Sequence, residues 1–308
     1  MGKVAKIVLI TAIILVVAGI GLTVAGAIII NKNGAGNKNY TKKEMVVTEN
    51  FKNIDIEEVS ANVEFMPSAD GQVKIEYYDS DNDTHKIEVS GDTLKIVYKD
   101  NDNMPWWLRI NFGSWWNTSD TEIVTTIYLP AGEYGSLDID TVSGDMKVPA
   151  DYSFSGASYN SISGDVSALC KTSGDVKVNT TSGEIKLASI NGNSVGINTV
   201  SGNVALNDVS VTGKVDIDTT SGEVGLTNVV SGTNSVSTVS GDVTLAAVNA
   251  DSISISTTSG DVKGTVAGEH EFDIDTVSGD ITLPSNIKGK PMVEIDTVSG
   301  DVNLDAAA

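Results

Sequence analysis

Through the C-terminal half of the chain, apolar and polar residues alternate in short bursts that stop at a glycine and restart on the opposite parity. The stretch from Lys214 reads K-V-D-I-D-T-T-S-G-E-V-G-L-T-N-V-V-S. Val215, Ile217 and Thr219 alternate with Asp216, Asp218 and Thr220, the period of a strand with one face turned inward. Beyond Ser221-Gly222 the apolar positions are Val224 and Leu226, so the inward parity flips across the glycine. Such a flip predicts a corner, where the chain bends and a second strand starts on another face. Glycine is expected there for its access to positive φ, and Ser and Asp for their turn-forming side-chain bonds. A further apolar residue follows three positions after the Leu, as in Leu187 and Ile190 or Leu245 and Val248. A looser turn then closes the unit at Asn191-Gly192, Thr212-Gly213, Ser231-Gly232 or Lys288-Gly289.

The unit repeats about every 19 to 20 residues, with I-D-T-V-S-G-D-V and its variants as the marker phrase. Thr141, Ser161, Thr180, Thr199, Thr219, Thr238, Thr257, Thr276 and Thr297 hold the register. A unit this small cannot bury its own apolar face, so neighbours must stack. The predicted fold is all-β, a parallel β-solenoid of about nine coils over residues 131–308. At a strand spacing of about 4.8 Å the coils make a rod on the order of 40 Å long. Thr and Ser beside the corner are expected to form a ladder of hydroxyls bonded to a neighbour or to backbone. A helical leucine-rich repeat of similar length is excluded by the β-branched composition and the missing 3.6-residue period.

Residues 44–130 have a different texture. Alternating segments such as Val73–Tyr77, Lys86–Val89 and Leu94–Tyr98 predict strands, and Val59-Ser60-Ala61-Asn62-Val63 echoes the corner phrase. A solenoid needs its open sheet edge covered, so this region is expected to be an N-terminal β cap. Within it, M-P-W-W-L-R-I-N-F-G-S-W-W-N carries all four tryptophans, Trp106, Trp107, Trp115 and Trp116, and the only arginine, Arg109. One reading makes these rings an aromatic roof on the first coil. The other makes Trp106, Trp107, Arg109, Trp115 and Trp116 the contact surface for a membrane interface, a glycan or an envelope protein, since Trp favours sites with one apolar and one wet side.

Residues 7–30 form a run of 24 without a charge, long enough to cross a bilayer as a helix. With Lys3 and Lys6 in a short tail, residues 1–6, the run predicts a signal anchor that leaves the bulk of the chain outside the cytoplasm. The membrane is then a partner through this N-terminal helix. The alternative is a signal peptide cleaved after Ala25-Gly26-Ala27. Residues 31–43, polar and rich in Gly and Asn, read as a linker. Cys170 is the only cysteine, so no intramolecular disulfide forms, and among Ala168, Leu169 and Val176 it reads as a small core residue.

Three stretches together carry a family likeness: the opening Phe51, Ile54, Ile56; I-V-T-T-I-Y-L-P ending at Pro130; and L-D-I-D-T-V-S-G-D-M-K-V from Leu137. With them the chain resembles, over about residues 45–308, the bacterial putative-adhesin family, a β-solenoid domain of unknown function. The resemblance implies an envelope-associated protein, with some relatives connected to envelope stress responses. It names no catalytic residue.

Net charge is −21. From Ala131 onward 24 Asp and Glu face 8 Lys and no Arg, a surface that repels phosphates, so nucleic acid is excluded as a partner. The residue after the corner glycine is acidic at Asp145, Asp165, Asp175, Glu184, Glu223, Asp242, Asp261, Asp280 and Asp301, interrupted by Asn203. Stacked about 5 Å apart, such charges repel by roughly 0.8 kcal/mol per pair in water. Turn chemistry explains Asp after Gly without a metal, so no cofactor is expected. The alternative is a calcium-binding acidic β-roll with Asp242, Asp261, Asp280 and Asp301 as ligands, although the paired glycines of such rolls are missing.

Enzyme readings find little support. His85 and His270 lie far apart in sequence without metal-ligand spacing, and Ser recurs as a turn residue without a matched base. A carbohydrate-active enzyme on a β-helix would need a basic group poised near the acids and long loops that build a cleft. The expectation is therefore non-enzymatic: a membrane-anchored extracytoplasmic rod acting in envelope interaction, adhesion or stress response. Because the chain stops just after the corner at Thr297, its last coil is expected to end bare, covered by self-association through the C-terminal solenoid end or by a partner.

Overall fold

The computed structural model describes residues 40–81, 83–100 and 123–307. Every regular element among them is a β-strand, and the repeats stack as a parallel solenoid. Each coil is three-sided. The strand before the corner forms a first ladder, with Val176, Val195, Val215, Asn234 and Ile253 in register. The strand after it forms a second, with Leu187, Leu206, Leu226 and Leu245 in register. The connector, expected only as a link, pairs as a third ladder, with Val209 on Val229, Val230 on Asn249 and Val248 on Val266. The turn between second and third ladders is made by Ser189, Asp208, Asn228 and Ala247, all with φ between 53 and 62°. Val, Ile and Leu from the three sides fill the interior, with aromatic rings at Phe65, Tyr152, Phe154 and Tyr159 in the first coils and at Phe272 at the far end.

The corner shows why its phrase recurs along the rod. The Thr hydroxyl accepts the N–H of the glycine three residues on, at 3.0–3.1 Å for Thr199, Thr219, Thr238, Thr257 and Thr297. The Ser N–H donates to the preceding coil, as Ser221 does to the Val200 carbonyl at 3.0 Å. Glycine is required for a reason other than the expected one. Among the corner glycines only Gly183 has positive φ. The rest are needed because each lies on the carbonyl of the corner residue beneath, Ala61 for Gly144 and a glycine for the others: a Cβ on Gly222 would fall 1.8 Å from the Gly202 oxygen, and one on Gly241 1.9 Å from that of Gly222.

The coil register reaches back to Asn53, beyond the expected start at 131. Asn53–Glu57 pairs in parallel with Thr93–Asp100 on one side and Gly132–Asp140 on the other. Asn62–Pro67 likewise lies between Val124–Leu129 and Met146–Val148. Residues 53–67 are thus an interior coil, and the coil made by 93–100 and 124–129 lies outside it. Antiparallel strands then close the end: Asp83–Ser90 on the first ladder, and Val73–Asp79 followed by Thr41–Val47 on the second. Thr41–Val47 starts inside the segment expected as linker.

The far end repeats this arrangement and overturns the expectation of a bare last coil. Met292–Asp296 pairs with Ser252–Ser256 on one side and Glu271–Asp275 on the other. Val302–Ala306 lies between Val262–Val266 and Ile281–Thr282. The last residues of the chain are therefore inserted between two coils, and residues 271–283 form the outermost one. No helix among the described residues is long and apolar enough to cross a membrane; the anchor expected at 7–30 lies outside those residues.

Candidate functional site

Three places concentrate chemistry: the acidic column beside the corners, the N-terminal end, and the C-terminal end. In the column five carboxylates, those of Asp145, Asp165, Asp242, Asp261 and Asp301, accept the backbone N–H of the next column residue. The N–H of Asp165 donates to Asp145 Oδ1 at 2.9 Å, that of Asp261 to Asp242 at 2.9 Å, that of Asp301 to Asp261 at 2.9 Å, and that of Asp280 to Asp301 at 2.8 Å. Asn62 and Asn203 do the same with their amide oxygens for Asp145 and Glu223. The column is a set of side-chain acceptors that extends the backbone ladder around the corner, and Asn serves as well as Asp because acceptance, not charge, is what the site needs. Asp242, Asp261, Asp301 and Asp280 are brought together in that spatial order, yet no group of three or more His, Cys, Asp or Glu among the described residues is arranged to hold a metal ion. Asp175 does not belong to the column: it opens a first-ladder strand and accepts the Ser194 hydroxyl at 2.6 Å.

At the N-terminal end the corner phrase is E-V-S-A-N, so Glu58 occupies the inward position that Thr holds elsewhere. Its N–H bonds the Asp140 carbonyl at 2.8 Å as that of Thr141 bonds Asn160. A buried carboxylate needs a partner, and the cap supplies one. His85 lies between two carboxylates, Nε2 3.0 Å from Glu58 Oε1 and Nδ1 2.8 Å from Asp79 Oδ1. The three side chains are only 3%, 1% and 6% exposed for His85, Glu58 and Asp79. The Thr125 hydroxyl donates to Glu58 at 2.6 Å, Lys43 Nζ to Asp79 at 2.8 Å, and the Tyr98 hydroxyl to Asp83 at 2.6 Å. Burial pulls the imidazole toward neutrality, but Glu58 and Asp79 outweigh it and hold its pKa above the ordinary histidine value. Tyr77 and Tyr98 meet the ring edge-on at 5.2 and 5.7 Å. Glu58, Asp79, His85 and Lys43 thus tie three strands and a corner together. Buried as it is, this cluster is built to hold the cap, not to meet a substrate.

Sequence reasoning passed over this cluster because its members are scattered; the available signal was an acid at an inward register position. The Trp106, Trp107, Arg109, Trp115 and Trp116 segment lies outside the described residues, whose nearest members, Asp100 and Ile123, end and precede strands of the outer N-terminal coil.

At the opposite end a cavity of about 170 Å³ is lined by Glu269, His270, Phe272, Pro284, Ile287 and Ala306 among others. His270 is buried, with Nε2 3.0 Å from the Ala267 carbonyl and Nδ1 3.3 Å from that of Pro291. It ties the strand leaving coil 252–266 to the strand returning at 292. The first ladder is closed here by a side chain: the Asn286 amide accepts the Phe272 N–H and donates to its carbonyl, both at 3.1 Å, and the Ile287 N–H reaches the His270 carbonyl at 3.0 Å. Neither histidine offers a free ring nitrogen beside an exposed acid.

The chain matches the family described as Toastrack DUF4097 over residues 51–216 and 211–308. Among curated proteins none matches. A crystal structure described as a putative adhesin from Parabacteroides distasonis ATCC 8503 is 14% identical, with 88% of this chain and 98% of that chain covered and a TM-score of 0.46. One described as a putative lipid binding protein from the same organism is 18% identical, with coverages of 88% and 98% and a TM-score of 0.39. A putative adhesin from Parabacteroides merdae ATCC 43184 is 14% identical, with the same coverages and a TM-score of 0.39.

Proposed function

We propose a function from one premise: this chain belongs to the Toastrack DUF4097 family. It acts as a non-enzymatic β-solenoid of the cell envelope, anchored by residues 7–30 and held outside the cytoplasm as an interaction, adhesion or stress-response module. The observation that carries this reading is the parallel coil stacking that extends from Asn53–Pro67 to Val302–Ala306, with a register shift between Leu245 and Val248. An active site needs convergent groups in a cleft. Here most column acids accept backbone N–H groups, and both histidine side chains are held in structural bonds. What the fold offers instead is long regular surface, the property solenoids use to bind partners. The tryptophan segment, which in sequence lies between Thr93–Asp100 and Val124–Leu129, adds residue types enriched at binding hot spots.

Protease shaving of intact cells tests the topology: the rod should be digested while cytoplasmic markers survive, and an untouched rod would refute the extracytoplasmic placement. Affinity capture from envelope extracts with the intact chain and with residues 104–117 deleted tests the contact. Loss of a specific partner on deletion supports the tryptophan surface; unchanged capture assigns binding to the rod faces.

A further inference from the structure

We propose that the outermost C-terminal coil, residues 271–283, receives an extended segment of a partner protein that adds one further corner and strand to the second ladder. This deepens the reading of the chain as an interaction rod and rests on it. The repeat itself tells which groups stand ready. In successive coils the residue two places after the corner glycine donates its N–H outward: Val224 to the Asp242 carbonyl, Val243 to Asp261, Val262 to Asp301, and Val302 to Asp280, at 2.8–2.9 Å. Ile281 holds that position in the outermost coil and, among the described residues, pairs only inward, with Val302. The corner Ser donates inward to the carbonyl of the residue after Thr, as Ser299 does to Thr258 and Ser278 to Val298, both at 3.1 Å. The next acceptor in that series is the Val277 carbonyl. Asp145, Asp165, Asp242, Asp261 and Asp301 each accept the N–H of the following column residue, ending with that of Asp280 on Asp301 at 2.8 Å, so the Asp280 carboxylate is the next acceptor of that kind.

The side chains agree with the backbone. Val277 is 77% and Ile281 44% exposed, whereas Val302, one coil inward, is 1% exposed. The first ladder needs no further strand, because Asn286 and Ile287 already bond its edge. The opening is thus limited to one corner and one short strand, the geometry of strand addition by an extended peptide. Its chemistry specifies the occupant. A glycine must stack on Gly279, since a Cβ in that column falls about 2 Å from the carbonyl beneath, as it would for Gly279 over Gly300. An apolar residue must cover Ile281, and a basic one after the glycine would complement the column of Asp280, Asp301, Asp261 and Asp242. A second copy does not fit: its N-terminal end is closed by antiparallel strands, and its C-terminal end carries the same acids.

The test uses the full chain in detergent micelles and a fluorescent peptide, Thr-Val-Ser-Gly-Lys-Val-Thr-Leu. Binding should weaken about tenfold or more when the peptide glycine becomes alanine, and again when the chain carries Ile281→Pro, which removes the outward N–H. Val277→Lys, which leaves every backbone bond in place, should weaken it similarly if Ile281→Pro disturbs folding. Absence of peptide binding, equal binding of the Gly and Ala peptides, or sedimentation showing that copies pair through this end would each overturn the proposal. Envelope capture by the intact rod in that case would leave the broader function standing.

Discussion

At the corners a single methyl group decides whether coils can stack. Gly222→Ala would drive a Cβ to 1.8 Å from the Gly202 carbonyl, against backbone that cannot yield without parting two coils. Overpacking of this kind should cost about 3 kcal/mol, read as a lower denaturant midpoint. Gly196→Ala is the control: nothing lies within 4 Å of the new Cβ, and its effect should stay within about 0.5 kcal/mol. His85 makes the second prediction at this scale. Its folded pKa lies above the unfolded one, so its contribution is complete below the ordinary histidine pKa and is lost as pH rises through the raised value. Melting followed from pH 6 upward should show a decline that His85→Gln lacks. Stability that is flat with pH in the wild type would contradict the charged bridge. Removing the ring altogether, as in His85→Ala, leaves Glu58 and Asp79 facing each other and should cost about 3–5 kcal/mol.

At the level of elements, both ends use one device: one coil, 53–67 or 292–306, is placed between two neighbours, and a later or earlier segment, 93–100 with 124–129 or 271–283, becomes the outer coil. An edge strand at a chain end frays because only one ladder holds it, whereas an inserted strand is held by two. The C-terminal edge is then finished by Asn286, whose amide stands in for a missing strand at Phe272. Asn286→Ala should remove both bonds and cost about 1–2 kcal/mol. Hydrogen exchange gives the sharper readout: the amide of Phe272 should lose protection, while that of Val293, covered on both sides, keeps it. Equal loss at both would mean that the outer coil and the inserted one open together.

For the whole molecule the question is what a chain of net charge −21 does with its acids. Because the column carboxylates accept backbone N–H groups, salt should act on this rod by screening repulsion. Calcium and sodium at matched ionic strength should therefore raise the melting temperature equally. A larger, chelator-reversible rise with calcium would instead reveal a site specific to the folded state, and Asp242, Asp261, Asp301 and Asp280 would be its first candidates.

The sequence by itself determined the period, the parallel stacking, the corner and the inward set of residues, because each depends only on local alternation and on a phrase repeated in register. Val215, Ile217, Val224 and Leu226 read as buried and are buried. Tertiary structure decided what the repeat leaves degenerate. I-D-T-V-S-G-D occurs in both of the last two coils, so either could have stacked on the coil before it, and only the crossovers through Ala267 and Pro291 fix the order. The glycine requirement belongs to the gap between coils, not to the dihedral of one residue. The Glu58, His85 and Asp79 bridge joins residues 6 and 27 positions apart. No local pattern could announce it, since its energy arises only when folding removes three charged groups from water at the same place.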